Sequence, residues 1–261
     1  MGAMMILAAV DFGIQWIVWA GSAYFTTERF YDLTGSLTFL GVTYLSLRLG
    51  GDGRDSILSS STRQLTTSGM VITWALRLGS FLFLRVLRAG EDVRFKDVKH
   101  DPKRFLIWWT IQGVWVFVTL LPTLILNLKR DSLPLLARDY VGWAVWVLGF
   151  AIEVTADRQK TAFRSNPDNA GRFITTGLWS VSRHPNYFGE MVMWAGLWLT
   201  SSSTMSGFEY LSVLSPAFVA FLIGKVSGIP ILERMADKRW GEEPAYRAYR
   251  DSTALLIPFL W

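Results

Sequence analysis

The chain has no cysteine among its 261 residues and only two histidines, His100 and His184. The first absence excludes disulfides, thiolate metal sites and a cysteine nucleophile together; the second excludes a histidine-rich metal site. No Gly-x-Gly-x-x-Gly follows a strand-like run, so a Rossmann nucleotide site is not expected. Aspartate and glutamate nowhere fall at a metal-ligand spacing, and no bound metal is expected. There is no internal repeat and no low-complexity tract. The opening Met1-Gly2-Ala3-Met4-Met5-Ile6 lacks the basic flank of a secretory signal and the Ser/Thr of a myristoylation site, so neither is expected. Neither nucleic acid nor an obligate protein partner is expected.

What the sequence has in excess is apolar and aromatic. Hydrophobic residues make up 51% and aromatics 15%, with 13 Trp and 17 Phe, above the usage of soluble domains. They come in blocks rather than in alternation, at about 5–25, 33–49, 70–87, 105–128, 141–155, 187–200 and 210–232. A bilayer core takes about 20 apolar residues, with about 17 workable. Two of these blocks are shorter, which leaves their edges open. The expectation is an all-α membrane bundle of about seven transmembrane helices, forming one domain over 1–261. Of its +5 net charge, the basic residues concentrate in the 89–104 loop, the 156–186 loop and the tail, on one side of such a bundle. The opposite loops carry Arg54, Arg63, Lys129, Arg130 and Arg138, and the 201–207 loop has no charge. This bias places the C-terminus in the cytoplasm and the N-terminus outside.

Ionisable residues gather at the expected cytoplasmic helix ends. Arg77, Arg85 and Arg88 lie on the third span, and Glu153 and Asp157 share a face of the fifth at i, i+4 spacing. Arg158 and Arg164 follow. The stretch Gly177-Leu178-Trp179-Ser180-Val181-Ser182-Arg183-His184-Pro185-Asn186-Tyr187-Phe188-Gly189-Glu190 packs polar groups at the mouth of the sixth span, and Lys225 and Glu233 lie in or near the seventh. Charge within a membrane helix is costly unless paired or binding something. One reading is mutual salt bridging. The other is a large anionic ligand, since Arg forks match phosphate oxygens while carboxylates suit ribose hydroxyls or an amide. The residue types alone do not choose the ligand.

The motifs Asp157-Arg158-Gln159, Arg164, Gly171-Arg172, Thr176-Gly177-Leu178-Trp179, Arg183-His184-Pro185-Asn186-Tyr187-Phe188-Gly189-Glu190, Lys225-Val226-Ser227-Gly228 and Leu256-Ile257-Pro258-Phe259 occur in order. From about Arg77 onward the chain resembles the bacterial branch of the steroid 5-alpha-reductase family. That resemblance implies a seven-helix membrane enzyme, in a bacterial cytoplasmic membrane, that reduces an activated carbon–carbon double bond with NADPH. It implies substrate-side helices over 1–68 and a cofactor-binding part over 69–261. It also implies cofactor contacts at Arg77, Arg85, Arg88, Asp157, Arg164, Arg172, Trp179, His184, Asn186, Tyr187, Glu190 and Lys225.

The family's catalytic Gln-Glu pair and Tyr are only partly matched: Thr27-Glu28 stands for the pair and Trp74 replaces the Tyr. Glu28 is therefore the expected acid, with Tyr31 and Asp32 nearest to it as substitute donors. A carboxylic acid buried in an apolar pocket can stay protonated at neutral pH and stabilise charge growing on an enone oxygen. The alternative for Glu28 is a solvated residue beside Arg29. Arg183-His184-Pro185-x-Tyr187-x-Gly189 is also similar to the motif of integral-membrane methyltransferases that use S-adenosylmethionine on isoprenylcysteine or phospholipid. A sterol-binding protein or transporter is the third reading, without the paired broken helices of transporters.

Overall fold

A computed structural model describes residues 2–50, 60–89, 92–130 and 133–260. Arg54 and the rest of 51–59 lie outside the described residues, as do the side chains of Arg88, Ala89 and Val93. The described residues are 80% helix and contain no strand. The helices are α1 Gly2–Tyr24, α2 Tyr31–Leu49, α3 Thr62–Ala89, α4 Pro102–Leu128, α5 Ala137–Ser165, α6 Pro185–Ser201, α7 Leu214–Phe221, α8 Ile229–Trp240 and α9 Pro244–Ser252. Among the described residues, five runs are long and apolar enough to cross a membrane: Gly2–Tyr24, Thr62–Leu87, Pro102–Leu128, Ala137–Ser165 and Gly207–Trp240. The protein is thus a multi-pass helical membrane protein.

Three expected boundaries move. Helix α3 begins at Thr62 rather than 70, because Arg63 and Gln64 are polar yet fully buried by partners. Helix α5 runs on to Ser165, its apolar block ending in a water-facing turn, which shortens the following loop to 166–184. The block at 210–232 is not one helix. A π-helical turn at Leu222–Val226 and a break at Gly228 divide it, and π turns recur at functional sites.

Contacts divide the chain into two compact units. The first comprises 1–139 with 200–215, the second 140–199 with 216–261. In the first unit the helices bury polar side chains among apolar ones. Helix α1 buries Asp11, Gln15 and Ser22 while Met5, Ile6, Trp16 and Ile17 face outward. Helix α2 likewise buries Thr34, Thr38, Thr43 and Ser46. With lipid outside there is little hydrophobic drive between helices, and hydrogen bonds and close packing hold them instead. Gln15 Nε2 donates to Thr38 Oγ1 at 3.1 Å, and Asn127 Nδ2 donates to Ser46 Oγ at 2.8 Å and Ser68 Oγ at 2.9 Å. Helix α4 is started by Asp101, which accepts from the Lys103 and Arg104 amides, with Pro102 at the first position.

The second unit is organised by a glycine crossing. Gly142 and Gly149 on α5 meet Gly196 and Gly189 on α6, each pair seven residues apart on its own helix. A Cβ at Gly149 would lie 2.6 Å from the Gly189 carbonyl oxygen, and one at Gly196 2.7 Å from that of Gly142. Only backbone fits there. The crossing sets the C-terminal end of α5 against the start of α6.

Candidate functional site

In the second unit the segment after α5 folds back onto the helix it leaves. Trp179 Nε1 donates to the Ala156 carbonyl at 3.0 Å, and the Leu178 amide donates to Gln159 Oε1 at 2.9 Å. Ala156, Ile174 and Trp179 form a small buried cluster with Phe163 and Leu178 against it. Gly177 has φ +64° and lies so close to Gln159 that a side chain would collide. That accounts for glycine in the Thr176-Gly177-Leu178-Trp179 motif. The tail then closes over: the Arg183 amide donates to the Ala254 carbonyl at 2.9 Å, Ser182 Oγ to Leu256 O at 2.7 Å, and Tyr249 Oη to Trp179 O at 2.6 Å.

This places several expected site residues together. Asn186 Nδ2 donates to Asp157 Oδ1 at 3.1 Å across the α5–α6 crossing. The rings of His184 and Tyr187 lie near parallel, 5.8 Å apart at 16°. Glu190 is half-buried one turn on from Asn186. Arg164 and Arg172 are exposed, and Lys225 is exposed on the π-helical turn. In the first unit Arg77 is half-buried, its guanidinium 5.8 Å from the Phe81 ring centroid. Arg85 is half-exposed, 3.7 Å from Asp32 and 3.9 Å from Asp92.

Sequence reasoning gave no site role to Lys160, Arg183, Glu233 or Tyr249. Lys160 Nζ sits 4.3 Å from the Trp179 ring centroid, and Glu233 receives both His184 Nε2, at 2.7 Å, and Arg183. Lys160 falls three residues after Asp157, on the same helix face, and that was the available signal. Glu233 and His184 are 49 residues apart, and no spacing rule links them. Burial pushes His184 below the ordinary imidazole value; Glu233 opposes this, and the charges of Lys160 and Arg183 add to it.

The second cluster corrects one expectation. Glu28 is buried, at 4% exposure, but is neither the neutral acid nor the solvated residue foreseen. Its Oε1 accepts the Asp92 amide at 3.0 Å and its Oε2 accepts Lys99 Nζ at 3.0 Å. Burial alone would raise this carboxyl, yet those two hydrogen bonds outweigh it and hold Glu28 below the ordinary carboxylate value. Asp32 takes Arg94 Nη2 at 2.9 and 2.8 Å on its two oxygens, and Arg94 also grips Asp92. Tyr31 Oη donates to the Trp108 carbonyl at 2.9 Å, within a ring cluster of Phe95, Phe105 and Trp109.

A pH dependence follows from the sign of the Glu28 shift. Its contribution to stability is fully present above the ordinary value near 4.5. It is lost as the pH falls from there through the lower folded-state value. The wild type is expected to exceed Glu28→Gln in stability near neutral pH, and that advantage is expected to shrink as the pH falls from about 5 to about 3. Coincident acid-unfolding curves followed by Trp fluorescence would overturn this.

Similar proteins share parts of the chain. A probable O-methyltransferase, ustE, from Ustilaginoidea virens is 29% identical over 128 residues, 48% of this chain and 41% of that protein. A Delta(14)-sterol reductase from Ascobolus immersus is 37% identical over 82 residues, 26% of this chain and 19% of that one. A 3-oxo-5-alpha-steroid 4-dehydrogenase 1 from Macaca fascicularis is 27% identical over 124 residues, covering 48% and 42%. The chain therefore spans less than half the length of each of these relatives. No solved structure matches it. The profile of the family described as "Protein of unknown function (DUF1295)" matches residues 18–253, most of the chain, and the protein belongs to that family, homologous to sterol and steroid reductases.

Proposed function

We propose that the protein is a membrane-embedded, NADPH-dependent reductase of a lipophilic enone, such as the C4–C5 double bond of a 3-oxo-Δ4-steroid. In this reading residues 1–261 act as one reductase domain in a bacterial cytoplasmic membrane. The chain crosses that membrane seven times, N-terminus outside and C-terminus in the cytoplasm. The observation that carries it is the gathering of Asp157, Lys160, Trp179, Arg183, His184, Asn186 and Tyr187 in the second unit. The cations there suit phosphate. Two buried nitrogens, His184 Nδ1 and Arg183 Nε, have no hydrogen-bond partner among the described residues, and buried polar atoms of that kind call for one. The donor set fits a nucleotide phosphate bearing amide and hydroxyl groups.

NADPH, when bound, supplies a hydride. Asp157, Lys160, Arg164, Arg172, Trp179, His184, Asn186, Tyr187, Glu190 and Lys225 are the proposed holders, with Arg77, Arg85 and Arg88 assigned on the resemblance alone. Reduction adds hydride to the β-carbon and a proton to the α-carbon, so a protonated group must face the carbonyl oxygen. Of the three sequence candidates, Tyr31 carries a hydroxyl proton at neutral pH, which it would have to turn from the Trp108 carbonyl toward the substrate. Glu28 is held as a carboxylate, and both oxygens of Asp32 are engaged as acceptors.

The test is a titration of purified protein with NADPH and, separately, S-adenosylmethionine, followed by Trp fluorescence. Product analysis by mass spectrometry after incubation with progesterone or testosterone completes it. Saturable NADPH binding and a product two hydrogens heavier are expected. Asn186→Ala is expected to weaken NADPH binding about tenfold, one hydrogen bond to a charged or polar ligand. The O-methyltransferase relative favours a second reading, S-adenosylmethionine-dependent methyl transfer. Binding of S-adenosylmethionine with none of NADPH would install it.

A further inference from the structure

His184 is 4% exposed, and its Nε2 lies 2.7 Å from Glu233 Oε1. The other Glu233 oxygen is held by Arg183, so this carboxylate is fixed in place from two sides. A carboxylate oxygen only accepts, so the proton in that contact belongs to Nε2. A neutral imidazole then carries a bare lone pair on Nδ1. That atom is buried and has no hydrogen-bond partner among the described residues. Burial disfavours a second proton on the ring; Glu233 opposes this, while the charges of Lys160 and Arg183 add to it.

We propose that Glu233 is a positioning residue that fixes His184 as its Nε2–H tautomer and so presents Nδ1 as a buried acceptor for an N–H or O–H donor of the bound ligand. The ligand half of this rests on the nucleotide reading above, where a carboxamide or a ribose hydroxyl supplies that donor. The tautomer half does not. The arrangement matches the general use of a carboxylate to choose which imidazole nitrogen is free. Ring orientation is set as well, since Tyr187 lies parallel to His184 on one face.

The chain suits a direct test because it has only two histidines, and the other, His100, is exposed. Nitrogen-15 histidine labelling of the full chain in detergent or nanodiscs gives two imidazoles to resolve. At neutral pH the buried one is expected as a single neutral Nε2–H form. Adding NADPH is expected to shift its Nδ1 resonance while His100 stays still. Glu233→Gln is expected to mix the tautomers and raise the Kd for NADPH about tenfold, with Glu233→Asp restoring part of both. A wild-type spectrum showing Nδ1–H or a doubly protonated ring overturns the assignment, whether or not the variants fold. If S-adenosylmethionine alone moves the Nδ1 signal, the acceptor role stands and the reductase reading falls. If NADPH binds and the signal does not move, the acceptor role is overturned and the reductase reading survives.

Discussion

Arg63→Ala is expected to cost about 3–5 kcal/mol, the range for breaking a buried ion pair from one side. Arg63 Nε lies 2.8 Å from Asp139 Oδ1 and its Nη2 lies 2.8 Å from Oδ2, with both side chains fully shielded from solvent. The same guanidinium donates to the Pro134 carbonyl at 2.9 Å. Asp139 in turn accepts the Leu136 amide at 2.7 Å. Removing the arginine strands a carboxylate and a carbonyl at once, and a stranded buried charge is what makes the loss large. Total stabilities run about 5–15 kcal/mol, so the first unit loses a large share of its margin. Arg63→Lys should fall between, because an ammonium cannot span both oxygens. The double variant Arg63→Met with Asp139→Leu should recover most of the loss, since it removes both charges. Denaturation in mixed micelles, followed by the Trp signal, reads all four proteins. An Arg63→Ala midpoint equal to that of the wild type would show the pair to be idle.

That pair also marks what the sequence could and could not reveal. Arg63 was visible as one of several basic residues outside the main charge bias, and its position suggested a loop. Its partner lies 76 residues away, and without that partner nothing argues for an arginine inside a helix start. The helices themselves were legible because lipid-facing apolar blocks need no partner to be seen. Boundaries failed where polar residues are buried by tertiary contacts, as at Thr62, or where a helix continues into water, as at Ser165. In the candidate site the contiguous motifs were readable, and Trp179, Asn186 and Tyr187 owe their grouping to a single folded-back loop. Glu233 was not, since its role depends on α8 returning to the start of α6. The charge state of Glu28 was not legible for a related reason. Its sequence neighbours are Thr27 and Arg29, while the groups that set its charge state are Asp92 and Lys99.

Gly149→Val is expected to be the most damaging substitution in the second unit, and Gly149→Ala already harmful. A Cβ at this position meets the Gly189 carbonyl oxygen and the Met193 amide nitrogen, both at 2.6 Å. Neither contact can yield by a rotamer change, because each is backbone of a packed helix. The α5 and α6 axes must move apart, and the second glycine pair, Gly142 with Gly196, would be pried open with them. Overpacking in a core costs about 1–3 kcal/mol where side chains can adjust, so a backbone clash should exceed that range. A control isolates the cause. Gly13 lies in the middle of α1 with nothing within 4 Å of an added Cβ, and Gly13→Ala should stabilise by about 0.5–1 kcal/mol through helix propensity alone. The consequence reaches function by a short route. Asp157 lies two turns beyond Gly149 on α5, and Asn186 lies just before Gly189 on α6, so the same displacement separates their hydrogen bond. Gly149→Ala should therefore lose nucleotide binding at temperatures where the helical signal in circular dichroism is still intact. If binding and helicity instead fall together, the crossing maintains the fold of the unit but does not align the site.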